Sequence, residues 1–405
     1  MISRFISRFR GLMFTAAGIL CLLALPGRAP AQGVNENACV SCHEKVTPQI
    51  VKDWLTSTMS KDFSCDTCHG KAHMTAQDAA KAVMPTAETC KPCHEKQATQ
   101  FANGKHALAW IAMEAMPKTA AQPTEIIAGM KGCGGCHRVG YHGGKCDSCH
   151  TRHRFSKAEA MKPEACGTCH MGFDHPQYEM WETSKHGMIY KMEPDSGRAP
   201  TCQTCHMDKG NHDVITSWGF LGLRLPVDDP QWAADQVTIL KALGVLDENG
   251  KPTARLGLIK AGKVARLTKE EWQASRDKMI SICMRCHARS YAVAQLDNAD
   301  QIIKQSDHLM AQAIDVVNGL YKDGILKRPK DAPYSVDLLT FYEAPTTIEQ
   351  RLYVMLLEHR MRTFQGAFHM NPDYMHWYGW AQMKEDLREI KDEAATLRFQ
   401  HKMMK

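Results

Sequence analysis

The chain has 405 residues, enough for two or three ordinary domains, and carries a formal net charge of +6. Four of those charges, Arg4, Arg8, Arg10 and Arg28, lie in a leader-like segment, so the basic balance excludes nothing acidic as a partner and gives no sign of nucleic-acid binding. Seventeen cysteines and twenty histidines exceed what packing needs, and their spacing decides the chemistry.

Met1–Ala31 opens with the basic Arg4, Arg8 and Arg10, continues through the apolar run Leu12–Leu25 and leaves through Ala29-Pro30-Ala31. This order predicts a secretory signal peptide cut before Gln32. A membrane anchor fits less well, because the run falls short of the roughly 20 apolar residues that a spanning helix needs. Cys21 follows Leu20, with no small residue before it, which argues against a lipoprotein cysteine. The expectation is an exported, periplasmic protein that is soluble after cleavage.

The other sixteen cysteines all fall into Cys-x-x-Cys-His units. In chain order these are Cys39/Cys42/His43, Cys65/Cys68/His69, Cys90/Cys93/His94 and Cys133/Cys136/His137. Cys146/Cys149/His150, Cys166/Cys169/His170, Cys202/Cys205/His206 and Cys283/Cys286/His287 follow. Such spacing reads as c-type haem attachment: two thiols bond the porphyrin and the adjacent histidine ligates iron from below. About 0.03 such units would arise by chance at these residue frequencies, so a zinc or disulfide reading is set aside. Eight covalent haem c groups are expected. Two propionates and one net positive charge at iron for each ferric haem would take the mature chain to a net charge of about −6.

Seven units lie between Cys39 and His206, too close together for the peptide to build its own core. The porphyrins must supply the buried apolar surface, wrapped by short helices and loops and touching edge to edge. Residues 32–292 read as the octahaem domain, with a haem-free insertion at about 211–269 containing Pro226, Pro230 and Pro252. Thr268-Lys269-Glu270-Glu271 is a capping box that opens a helix delivering Cys283. Residues 293–405 read as a C-terminal bundle of long helices with intersubunit contacts. One helix is expected over Asp297–Leu326, with Ile302, Leu309, Ala313, Val317 and Leu320 on one face. A second starts at Thr346-Thr347-Ile348-Glu349 and runs to about Met370. A third places Met383, Leu387, Ile390, Ala394 and Leu397 on a seam that suits either intersubunit packing or an ordinary core stripe. No strand pattern stands out, and the fold class is all-α.

Twelve histidines lie outside the units. A pure electron carrier would cap every iron with a second histidine, whereas an enzyme must leave one position exchangeable. His73, His106, His142, His153, His186, His212 and His308 are taken as distal iron ligands. Asp174 and His175, just beyond the sixth unit, suit proton transfer at a nearby iron; alternatively His175 is one more ligand and Asp174 a cap.

The order of the units, Cys133-Gly134-Gly135-Cys136-His137, Cys146 through His153, Cys166 through Pro176, Cys283 through Tyr291, and Asn371-Pro372-Asp373-Tyr374 leading into Trp377-Tyr378-Gly379-Trp380 together resemble the octahaem hydroxylamine oxidoreductase family. All eight units end in histidine, unlike the octahaem nitrite and tetrathionate reductases, whose active haem uses lysine. The resemblance implies that the fourth unit holds the active haem, that Asp174 and His175 are its acid–base pair, and that Tyr291 lies on the same side. It further implies a homotrimer in which a tyrosine of the neighbouring subunit crosslinks to that haem, with Tyr374 the first choice and Tyr378 the second. Packed aromatics are the bland alternative for both. The implied activity is oxidation of hydroxylamine to nitric oxide or nitrite, with electrons leaving through seven bis-histidine haems to a cytochrome c. Hydrazine oxidation, reduction of nitrite or hydroxylamine to ammonia, and a non-catalytic haem wire are the competing readings.

Overall fold

The computed structural model describes residues 36–114, 132–216, 221–223, 227–328 and 336–405. The expected signal peptide lies outside the described residues. Among them there are helices and turns but no strand, only one isolated bridge between Leu246 and Pro252. No described helix is long and apolar enough to cross a membrane.

The two halves of the chain are built differently. From Glu36 to His206 the helices are short: α1 (Glu36–Val46), α2 (Pro48–Thr56) and α3 (Glu95–Asn103) are the longest of them, and most of the others span only four to eight residues. Few apolar side chains are buried there, among them Val51, Trp54, Phe101 and Trp181, while Val46, Leu55, Val83 and Met84 stand open. That is the surface expected where porphyrin rather than peptide fills the interior.

The peptide core sits in the other half. Helix α4 (Pro230–Ala242) lies in the segment between the seventh and eighth units, α5 (Lys269–Cys283) carries the eighth, and α6 (Arg289–Lys322) is the long helix of the bundle. Helix α7 (Thr347–Val354) continues through a π-helical turn (Met355–Arg360) into α8 (Met361–Phe368). A second π turn (Met375–Trp380) leads into α9 (Ala381–Met403). Ile239 and Leu243 of α4, Met310, Ile314, Val317 and Leu320 of α6, Leu352 of α7 and Met383 and Ile390 of α9 form one continuous core. The Met383–Ala394 stripe is buried against this core. It therefore serves packing within the chain and is not free to act as an intersubunit seam. The insertion joins the same core through Ile239, Leu243 and Ile259, and Arg255 pairs both guanidinium nitrogens with Asp337 at 3.0 and 2.9 Å.

Both expected N-caps form, but neither closes into a full box: Glu271 accepts from Leu267 N and Glu349 from the Thr346 hydroxyl, not from the N-cap N–H. Thr268 Oγ1 accepts from Glu271 N at 3.2 Å, and Thr346 Oγ1 accepts from Glu349 N at 3.4 Å. Helix α6 starts eight residues earlier than the periodicity predicts, directly after the eighth unit, and stops before Gly324, whose φ of +69° costs a glycine nothing.

One buried polar cluster locks the bundle. Arg360 Nε and Trp232 Nε1 each donate to Asp307, at 2.7 Å, and the Arg360 and Asp307 side chains are 1% and 0% exposed. Burial pushes the Asp307 carboxyl up, against the pull of Arg360 and Trp232. Asp307→Ala would strand a buried guanidinium and an indole N–H together. The expected cost is about 3–5 kcal/mol, read as a lower denaturant midpoint of the haem-loaded protein by far-UV circular dichroism.

Candidate haem sites and active centre

Each unit is one helical turn. The histidine N–H returns to the carbonyl of the first cysteine, at 2.9 Å for His94 and His170, 3.0 Å for His287 and 3.1 Å for His137 and His150. Both sulfurs and the imidazole thus come to one side. In five units the imidazole Nδ1 is held by a named acceptor: Thr47 Oγ1 for His43 (2.7 Å), Val83 O for His69 (2.9 Å) and Ala109 O for His137 (2.8 Å). Gln177 Oε1 holds His170 (3.0 Å) and Ile215 O holds His206 (2.7 Å). When Nδ1 is the donor, the proton is fixed there and the Nε2 lone pair is left for a metal.

The imidazoles then meet in facing pairs. Ring centroids lie 6.0 Å apart for His43 and His73, 5.9 Å for His69 and His153, and 6.0 Å for His106 and His170. They lie 6.4 Å apart for His150 and His212, 6.1 Å for His186 and His287, and 6.3 Å for His206 and His369. Two imidazoles on opposite faces of one iron, with bonds of about 2.0 Å, have centroids roughly 6 Å apart. The residues therefore fit covalent, bis-histidine haem. Burial holds the pKa of His106, His150, His153, His186 and His206 below the ordinary value and takes His170 and His369 down to about 4. Neutral imidazole is the form that ligates.

The sulfurs give the order of the units in space. Cys68 of the second unit neighbours Cys90 and Cys93 of the third, and Cys90 touches Cys146 of the fifth. Cys149 neighbours Cys166 and Cys169 of the sixth, and Cys166 touches Cys202 of the seventh. Cys205 neighbours Cys283 and Cys286 of the eighth. The fourth unit joins as a spur, Cys136 against Cys169.

The expected attachment cysteines are not all enclosed alike. Twelve are part-buried, but Cys42, Cys93, Cys133 and Cys286 are exposed. Cys42 departs furthest from the picture of porphyrins packed edge to edge within a peptide wrap. It lies on α1 at the start of the described chain, and no described contact brings it against a sulfur of another unit. The first unit is placed instead by the His43–His73 pair, with His73 supplied from just beyond the second unit. An open thiol still suits thioether formation, because a vinyl group must reach the sulfur.

The expected ligands fare differently. His73, His106, His153, His186 and His212 each face a unit histidine. His308 does not: it lies on α6, half exposed, with Nδ1 3.2 Å from Asp235 Oδ2. Its place on the bundle is taken by His369, which faces His206 and whose Nδ1 donates to Gln365 O at 2.8 Å. His308→Gln is accordingly expected to leave the haem absorption and ligand-field spectra unchanged; appearance of a high-spin signal would reverse this correction. The His142 side chain lies outside the described residues. Its backbone neighbourhood is at the third unit, since Ala87 N donates to Gly144 O at 3.1 Å and the Phe101 ring closes on Gly144.

Two unit histidines, His94 and His137, face no imidazole among the described residues. His137 is the one of the two whose unit has a carboxylate and a further imidazole near it. Asp174 is close to Cys136 of the same unit, and its charge, after burial, Cys169 and Cys133, helps raise that thiol's pKa. His175 Nδ1 lies 2.8 Å from Asp174 Oδ1, too oblique for a good hydrogen bond, and its ring is also 6.0 Å from His170. The segment is braced from the bundle: Gln177 Nε2 donates to Gln365 Oε1 at 3.0 Å, and Asn371 Nδ2 donates to Met180 O at 2.9 Å and Thr183 Oγ1 at 2.8 Å. Gln177 and Asn371 carry no sequence signal for this role.

The tyrosines are not brought to this centre within the chain. Tyr291 is half exposed and stacks at 5.1 Å on His287 of the eighth unit, with no described contact to Asp174 or His175. Tyr374 and Tyr378 pair at 4.9 Å on the second π turn, where Tyr378 and Trp377 face outward.

An all-α chain whose short helices hold Cys-x-x-Cys-His turns and facing histidines is a multihaem c-type cytochrome. The chain belongs to the multihaem cytochrome family described as "Seven times multi-haem cytochrome CxxCH", whose model matches residues 35–222 and 246–332. It is 27% identical, over 89% of its own length, to a probable nitrite reductase–hydroxylamine oxidoreductase fusion protein of Kuenenia stuttgartiensis, and it spans about half (51%) of that relative. The reducing HAO-like protein complex of the same organism superimposes with a TM-score of 0.72 at 25% identity, over 91% of this chain and 86% of that one. A hypothetical multiheme protein shares the fold, with a TM-score of 0.67 at 21% identity over 92% and 96% of the two chains.

Proposed function

We propose that this chain is a periplasmic octahaem enzyme of hydroxylamine chemistry, with the fourth unit, Cys133, Cys136 and His137, as its reactive centre. The observation that carries the reading is the uncapped His137 with Asp174 and His175 beside its unit. His106 serves as the ligand opposite His170, which frees His175, adjoining Asp174, for the substrate. His142 caps His94. A haem on the fourth unit would supply an iron with one exchangeable position and a conductor for electrons. Asp174 and His175 take the N–H and O–H protons of bound hydroxylamine, and the Ala109 carbonyl keeps His137 in the tautomer that ligates. Haems on these units would supply the path for electrons, from the fourth to the sixth, where Cys136 and Cys169 adjoin, and along the line of units to a cytochrome c.

The first reading is oxidation of hydroxylamine to nitric oxide or nitrite in a homotrimer, with Tyr374, or else Tyr378, of a neighbouring copy bonded to the fourth haem. The outward-facing Tyr378 and Trp377 support a partner on that turn. The second reading is reduction of nitrite or hydroxylamine to ammonia, which the likeness to the reducing HAO-like complex of Kuenenia favours, while the name of the fusion relative carries both activities. It uses the same residues with the protons delivered rather than removed. Mass spectrometry of the Cys133 peptide separates the two: a tyrosine-bearing adduct is expected, and an unmodified haem peptide would leave reduction as the function. Hydroxylamine added to the purified holoprotein should also perturb about one iron's high-spin signal; a wholly low-spin, unresponsive spectrum would end both readings.

A further inference from the structure

We propose that Arg266, with Lys105 beside it, clamps a haem propionate where the sixth and seventh units meet, an assignment that rests on the haem loading proposed above. Arg266 is 7% exposed, yet everything it touches is neutral. Its Nη2 donates to Thr216 O at 2.9 Å and to Thr216 Oγ1 at 3.0 Å, its Nη1 donates to Lys263 O at 3.2 Å, and its Nε has no partner. Among the described residues no carboxylate forms an ion pair with it, and Glu271 acts only at longer range. Lys105 Nζ donates to the same Lys263 carbonyl, so a second basic group adjoins the guanidinium. Two adjoining basic side chains, one of them a buried guanidinium with a vacant donor and no ion-paired carboxylate among the described residues, call for an anion.

The position identifies that anion. Thr216 follows Ile215, whose carbonyl holds His206 of the seventh unit. Lys105 precedes His106, which faces His170 of the sixth. A carboxylate fixed to the edge of either porphyrin would come within reach of the guanidinium, and a planar N–H fork suits it.

The test is a spectroelectrochemical titration of the holoprotein after haem content has been counted by mass. A wild-type count short of eight would count against the loading itself and leave the clamp a separate question. With equal loading, Arg266→Gln should move one or two low-spin transitions to lower potential, because a lost positive charge favours oxidised iron, while the others superimpose on wild type. Arg266→Lys should recover most of that shift. If Arg266→Gln loads poorly, Lys105→Gln is titrated instead and should give a smaller shift of the same sign. Superimposed titrations for the loaded variants would overturn the proposal. So would a wild-type shift that grows with added phosphate or nitrite and disappears in Arg266→Gln, because the site would then hold a free anion.

Discussion

Asp174→Asn is expected to assemble with the same haem content as the wild type and to turn over hydroxylamine about 10²-fold more slowly, or worse. The substitution keeps the side chain's size and one oxygen acceptor, so the neighbours at Cys136 and His175 need not move. It removes the capacity to carry a proton. The loss should therefore fall on kcat rather than KM, as expected when a group acts on the transition state more than on binding. His175→Gln provides the companion measurement. If the two groups act as one relay, the double variant will be scarcely slower than the worse single variant; independent roles would multiply the losses. Unchanged turnover in Asp174→Asn would remove this carboxylate from the chemistry and return His175 to the bland role of a spare ligand.

What could be read before the fold was known divides along the range of the interactions. Covalent attachment needs two thiols and an imidazole on a single turn, so all eight units announce themselves within five residues each. How far the peptide encloses a thiol is a matter of packing, and the pattern that marks Cys42 is the same as the one that marks the part-buried Cys205. Helix starts are as local as attachment, and the Thr268 and Thr346 N-caps are legible because the cap and its N–H partner are three residues apart. Distal ligation is not local. An imidazole needs only to arrive roughly 6 Å from its partner, from any distance along the chain, and nothing in the neighbourhood of His369 marks it for His206. His308 and His369 both occur in helical segments beside apolar residues. They part company because Asp235, on another helix, meets one and the seventh unit meets the other. The Met383–Leu397 stripe was ambiguous for the same reason: its periodicity specifies that a face is buried, and only packing against α6 decides what buries it.

His369→Ala should add a second high-spin ferric signal to the one expected from the fourth unit. The site offers His206 no substitute. His369 sits deep enough for burial to take its pKa down to about 4, its Nδ1 is committed to Gln365 O, and its neighbour Phe368 lies against Arg276. Truncation to alanine opens a space that water can enter, and a weak-field water ligand leaves the iron high-spin. His369→Met separates loss of a ligand from loss of structure: a thioether should restore the low-spin state while raising the potential of that haem alone. The consequence for function depends on where electrons leave. The seventh unit lies between the sixth, where the fourth unit feeds in, and the eighth. If the exit is at the eighth unit, either variant should slow reduction of a protein acceptor, while a small artificial acceptor that takes electrons nearer the fourth unit keeps its rate. If the exit is on the side of the first and second units, both rates should hold. An absorption and paramagnetic-resonance spectrum of His369→Ala without a new high-spin component would show that His206 finds its partner elsewhere, and the spatial order drawn from the sulfurs would need another reading at the seventh unit.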